Sequence, residues 1–169
     1  TKVLPRKNRL FRPNVANIDL VAIVASNPPE PDFYLFDKLI SSCTIKDIKV
    51  IIVVNKLDLE DTTAKKIEEN YSSAVQKIFR ISAKTGEGTA EFFVYLKGKT
   101  VVFSGQSAVG KTSILNRLFD INRQTGEVSK KTERGKQTTT VSEIIEKDGA
   151  MIIDTPGFTS FDLNLKADE

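Results

Sequence analysis

The sequence predicts a three-layer α/β fold with a mostly parallel sheet and one antiparallel hairpin. Three observations carry that prediction: continuous β-branched runs such as "IDLVAIVAS" and "KVIIVVN", segments of helical spacing that alternate with them, and an Asp148-Gly149 pair between two late apolar runs. Runs that are apolar at every residue suit strands buried on both faces, as in parallel sheets covered by helices on each side. The alternating helices supply the crossovers that parallel pairing requires.

Residues 1–17 lack clean periodicity and contain two prolines, which suits a basic connector rather than a core element. The first buried strand is expected over 18–26, and "PPEP" breaks it before Phe33, Phe36, Ile40 and Cys43 recur at helical spacing. A second strand follows over 49–55, then a polar-faced helix over 61–74 with Asp61 or Thr62 as its N-cap, and a third strand over 77–82. A short helix over 89–97 leads to a fourth strand over 100–105 and a helix over 111–119 that buries Ile114, Leu115, Leu118 and Phe119. Residues 120–139 have few apolar anchors and read as a long mobile loop. Strands over 140–147 and 150–154 close the pattern around the Asp-Gly turn.

Hydrophobic residues at 40 % and charged residues at 28 % of 169 match ordinary globular usage, enough for one buried core. No apolar run approaches the roughly 20 residues that span a bilayer, so the expected location is cytoplasmic, with no membrane partner. Cys43 is the only cysteine and histidine is absent, which leaves no Cys/His zinc cluster in this chain. A net charge of +3 is too small to imply nucleic acid by itself. Basic residues do gather in 1–13 and again at Arg123, Lys130, Lys131, Arg134 and Lys136.

The sharpest motifs all fall directly after strands, at the sheet edge where α/β folds bind ligands. Gly105, Gln106, Ser107, Ala108, Val109, Gly110, Lys111 and Thr112 fit G-x-x-x-x-G-K-[ST] completely, between a strand and a helix, with Ser113 next on the helix. Glycines let backbone N–H groups curl round phosphate oxygens, and the helix N-terminus adds partial positive charge. Lys111 is placed to reach the β- and γ-phosphates, and the Thr112 hydroxyl to ligate Mg²⁺. Gly98-Lys99-Thr100 is a decoy, because Phe93 stands where the loop's first glycine is needed.

Asp154-Thr155-Pro156-Gly157 offers an acid for Mg²⁺ at a strand tip and, at Gly157, an N–H that can approach the γ-phosphate unobstructed. Asn55-Lys56-Leu57-Asp58 suits a guanine reader: the Asp58 carboxylate can accept from N1–H and the exocyclic amine together, a pattern adenine does not present. Asn55 would brace the loop and meet the base edge, and the Lys56 stem would lie over the ring. Ser82-Ala83-Lys84 would offer the Ala83 N–H to the guanine carbonyl. N-K-x-D alone is weak evidence and D-T-P-G alone is as easily a turn, whereas the phosphate-loop motif is strong in its strand–helix context; all four at successive strand ends define a pocket for GTP or GDP with Mg²⁺.

Their order is N-K-x-D, S-A-K, phosphate loop, threonine-rich loop, D-T-P-G, whereas ordinary small GTPases begin with the phosphate loop. The cycle is the same but opened between D-T-P-G and N-K-x-D, so the expected fold is a circularly permuted P-loop GTPase with both chain ends beside the nucleotide. The arrangement resembles the permuted GTPases of ribosome assembly, and within them the small-subunit-dependent family called RsgA or YjeQ. "LPRKNRLFRP", "VANID", "NKLD", "SAKTGEG", "SGQSAVGKTSILN", "RGKQTTT" and "DTPGF" carry that likeness across nearly the whole chain.

The resemblance implies GTP hydrolysis stimulated by the small ribosomal subunit, with its rRNA as partner. It implies a preceding OB barrel, of which residues 1–17 would be the end, and a zinc domain that would fall after Glu169. Residues 18–169 would be the permuted GTPase domain. Two departures stand out: Phe158 follows the D-T-P-G glycine where many GTPases carry a water-positioning glutamine, and Gln137 occupies a position where relatives commonly show histidine. Gln137 is thus either a water-orienting amide or a plain loop glutamine, and Thr138 or Thr139 is the candidate switch threonine. A GTP-dependent scaffold with incidental hydrolysis is the alternative reading. A permuted large-subunit assembly GTPase is another, opposed by "RGKQTTT" and the basic lead-in.

Overall fold

The computed structural model describes residues 7–10, 15–59, 62–122 and 143–154. Two short strands, β1 (Arg9–Leu10) and β2 (Val15–Ala16), pair antiparallel ahead of the main sheet. Then come β3 (Leu20–Ala25), α1 (Phe33–Ile45), β4 (Lys49–Val54), α2 (Thr62–Tyr71), β5 (Lys77–Arg80), α3 (Thr89–Leu96), β6 (Thr100–Ser104), α4 (Lys111–Phe119), β7 (Glu143–Lys147) and β8 (Ala150–Asp154).

The sheet runs β5-β4-β3-β6-β8-β7, parallel throughout except for the β7–β8 hairpin. Asp148 and Gly149 both adopt positive φ in the two-residue turn of that hairpin, as its tight geometry requires. β3 is buried along its full length, and its alternate residues explain the three layers. Val21, Ile23 and Ala25 face α1 and α2, packing with Leu39, Cys43, Ala64 and Ile67. Leu20, Ala22 and Val24 face α3 and α4, packing with Phe92, Leu96, Ile114 and Leu115.

The expected elements are present, with strand ends trimmed by one or two residues. Asp32 caps α1, its carboxylate accepting from Leu35 N–H at 3.1 Å. Of the two cap candidates for α2, Thr62 already lies within the helix and Asp61 falls outside the described residues. Ile114, Leu115, Leu118 and Phe119 are buried as the spacing of α4 requires. The expected loop beyond Asn122 and the strand start at 140–142 also lie outside the described residues.

One expectation is corrected. The described N-terminal residues do not neighbour the phosphate loop but are tied to the opposite edge of the sheet. Asp19 N–H donates to Thr100 O and Thr100 N–H to Asp19 Oδ2, both at 2.9 Å, at the entry of β6. Asn8 grips Ile18 by both its main-chain groups, and Lys7 pairs with Asp19 at 3.2 Å. Because β3 and β6 run parallel, their common start lies about 16 Å from the loop after β6, at roughly 3.3 Å per residue. Of the basic stretch in 1–13, Lys7 therefore sits away from the site, while Lys2, Arg6 and Arg12 are outside the described residues.

Candidate functional site

The loops that follow β3, β4, β5 and β6 converge at the carboxyl edge of the sheet. The loop after β6 turns into α4 through backbone shapes that side chains resist. Gly105 has φ +138 and a Cβ there would stand 2.3 Å from Val24 O on β3; Gly110 has φ +92 and its Cβ would stand 2.4 Å from Asn55 Nδ2. Between them Ala108 also adopts positive φ, and Val109 is fully buried as the anchor of the loop. Lys111 Nζ folds back to donate to Gly105 O at 2.7 Å and Gln106 O at 2.6 Å, which places its ammonium over the loop. Thr112 and Ser113, in the first turn of α4, are half-buried.

The base-reading loops are locked to this one by Asn55, which is 4 % exposed. Its Nδ2 donates to Val109 O at 3.0 Å and its Oδ1 accepts from Ala83 N–H at 3.0 Å. Asn55 therefore joins three loops at once, using its amide as a brace, as expected for a buried polar group. The Ala83 N–H, expected to face a guanine carbonyl, is held by this internal acceptor, and a ligand oxygen would have to share or exchange it. Lys56 is also tied down: its Nζ donates to Ala108 O at 2.9 Å and to Pro28 O at 2.5 Å, so its stem bridges the loops after β3, β4 and β6.

Asp58 presents the carboxylate. Ser82, fully buried, donates its hydroxyl to Asp58 Oδ1 at 2.6 Å, and Lys84 Nζ lies 3.7 Å from Oδ2. The Ser82 hydrogen bond, aided by the Lys84 charge, holds the Asp58 carboxyl below the usual carboxylate range against the opposing effect of desolvation. Ser82 Oγ in turn accepts from Thr85 N–H at 3.1 Å, and Arg117 Nη2 on α4 donates to Thr85 O at 2.8 Å, which steadies the S-A-K loop from the far side. A polar groove of about 350 Å³ lined by Ala83, Ser113, Asn116, Arg117 and Asp120 opens beside this wall.

Asn55, Lys56, Asp58, Ser82, Ala83, Lys84 and the whole run from Gly105 to Ser113 thus come to one edge. β8 runs parallel to β6 and ends at Asp154 on that same edge, although its side chain, like Gln137, Thr138, Thr139 and Gly157, is outside what the structure describes. Sequence reasoning missed the loop after β3, taking "PPEP" only as a strand breaker. That loop is a wall of the site: Pro28 O accepts from Lys56, and Glu30 and Asp32 are bound by Gln106. Its position after a parallel strand was the available signal.

A phosphate loop, a guanine reader and their brace, on this sheet but in rotated chain order, define a circularly permuted P-loop GTPase fold. The chain belongs to the RsgA GTPase family, whose model matches residues 3–164. It is similar to the small ribosomal subunit biogenesis GTPase RsgA of Ruminiclostridium cellulolyticum, 46 % identical over 96 % of this chain and 54 % of the relative. The RsgA of Thermotoga maritima is 39 % identical over 96 % of this chain and 57 % of the relative. Among solved structures, YjeQ from Thermotoga maritima superposes with TM-score 0.75 at 36 % identity, covering 94 % of this chain and 54 % of that one. YloQ, a circularly permuted GTPase, superposes with TM-score 0.68 at 29 % identity over 96 % of this chain and 52 % of that one. The chain spans about half the length of these relatives.

Proposed function

We propose that this chain is the core of a GTP hydrolase that acts in small ribosomal subunit biogenesis and is stimulated by that subunit and its rRNA. The observation that carries the reading is the Asn55 brace, which fixes the Asp58 loop, the Ala83 loop and the phosphate loop in one geometry suited to a guanine nucleotide. Asp58 accepts from the base, backbone N–H groups of 105–113 hold the phosphates, and Lys111 neutralises charge that builds on them. The names of the relatives supply the ribosomal partner.

Mg²⁺ belongs to the same reading. Among the described residues no cluster of three or more His, Cys, Asp or Glu is present. A nucleotide-bound Mg²⁺ uses few protein oxygens, the rest coming from phosphates and water, and the half-buried Thr112 hydroxyl at the start of α4 fits such a donor. Asp154 and either Thr138 or Thr139 would complete the protein share, and the ion would neutralise phosphate charge. Gly157 N–H would approach the γ-phosphate and Gln137 would orient water. Residues 1–17 would be the end of a preceding OB barrel, with 18–169 as the permuted domain. No helix among the described residues is long and apolar enough to cross a membrane, and a cytoplasmic setting suits a ribosomal partner.

A GTP-dependent scaffold is favoured by one observation, Phe158 in place of a water-positioning glutamine. The test is the initial rate of GTP hydrolysis, with ATP as control, with and without purified small or large ribosomal subunits. GTP-selective turnover raised only by small subunits is expected. Turnover that stays slow on them supports the scaffold, and stimulation by large subunits would move the protein to the other assembly pathway.

A further inference from the structure

The phosphate-loop motif leaves its second position open to any residue, and here it is Gln106. Its side chain is engaged at both ends. Nε2 donates to Glu30 O at 3.1 Å, and Oε1 accepts from Asp32 N–H at 3.1 Å. A carbonyl can only accept and an N–H can only donate, so these partners fix which end of the amide is which. Pro31, between the two gripped residues, is buried, and Asp32 is also the N-cap of α1. The side chain of Gln106 therefore fastens the phosphate loop to the start of α1.

The main chain of the same residue does something else. Its carbonyl is one of the two that receive Lys111 Nζ, at 2.6 Å. A carbonyl on an untethered glycine-flanked loop could rotate; this one is held through its own side chain by a wall built on another strand. We infer that Gln106 is a positioning residue, which fixes the Lys111 ammonium over the phosphates by clasping the loop between β3 and α1. The inference rests on the guanine-nucleotide reading above and adds to it a residue whose side chain need not touch the ligand. Only an amide of this length suits the clasp: a carboxylate cannot donate to Glu30 O, and asparagine falls one methylene short.

The test is a double-mutant cycle on the full chain, read by affinity for a fluorescent GDP analogue and by kcat and KM for GTP. Gln106→Met keeps volume and loses both bonds; Gln106→Asn keeps the amide and loses the reach. Each is expected to weaken GDP binding and lower kcat/KM about tenfold, with the thermal midpoint unchanged. In a Lys111→Ala background the Gln106 substitutions should cost nothing further, because the group they position is gone. Full affinity in Gln106→Asn overturns the clasp, and an equal loss with and without Lys111 overturns the route through that lysine. A wild-type chain that binds no guanine nucleotide removes the site reading itself. A wild type that binds GDP beside an unaffected Gln106→Met removes only this inference.

Discussion

The base-reading half of the site and the phosphate half are held in shape by different means. Around Asp58 the geometry is set by side chains bonded to one another, Ser82 to Asp58 and Asn55 to the Ala83 backbone. Around Gly105 and Gly110 it depends also on the absence of side chains, because neighbouring backbone and amide atoms stand where a Cβ would go. The contrast teaches where tolerance lies: the base half can be weakened group by group, whereas the phosphate half has positions at which one methyl group disrupts the loop.

Substitutions ranked by effect test that contrast. Lys111→Ala removes the ammonium folded back over Gly105 O and Gln106 O and should lower GTP turnover by roughly 10²–10³-fold, the scale of losing one preorganised charge-stabilising donor, as steady-state kinetics would record. Gly110→Ala should come next, costing about 3 kcal/mol in urea unfolding, since a Cβ would meet the Asn55 amide at 2.4 Å in a backbone shape unfavourable to alanine. Asn55→Ala orphans the buried Val109 carbonyl and the Ala83 N–H, and about 2 kcal/mol of stability should go with it. An Asn55→Ala protein as stable as wild type would mean that the three loops are not braced through that amide.

Asp58→Ala should leave the fold intact and lower the preference for guanine over adenine nucleotides by roughly ten- to a hundredfold, measured by competition binding. The same group predicts a pH dependence. Its carboxyl is held below its ordinary value of 3.8, so the charged form, and with it guanine selectivity, should persist through pH 4. Selectivity should be lost only as pH falls through the lowered folded-state value, in the direction expected for a depressed carboxylate. Selectivity already falling between pH 6 and 5 would place the titrating group elsewhere. Lys84→Ala should matter least, under twofold in affinity, because its ammonium is 80 % exposed and 3.7 Å from Asp58.

Much of this was legible before any coordinates. Strands buried on both faces announce themselves as unbroken apolar runs, and the motifs at their ends need only the strand to be placed. What stayed hidden depends on which loops touch across the edge. Gln106 occupies an unconstrained letter of its motif, and its partners Glu30 and Asp32 are more than seventy positions away. "NPPEPD" carries the local signal of a break but none for a wall. Lys7 lies away from the site although chain order suggested proximity, because a parallel strand carries its start to the far side of the sheet. The internal partner of the Ala83 N–H, Asn55 Oδ1, was hidden as well, because it lies 28 positions earlier.

The reciprocal bonds between Asp19 and Thr100 make the beginnings of β3 and β6 a single anchorage. A pull applied there acts lengthwise on two central neighbouring strands, loading their ladder of hydrogen bonds together in shear instead of peeling them one by one. The distal edge of the sheet is therefore a point at which the two central strands are loaded as one.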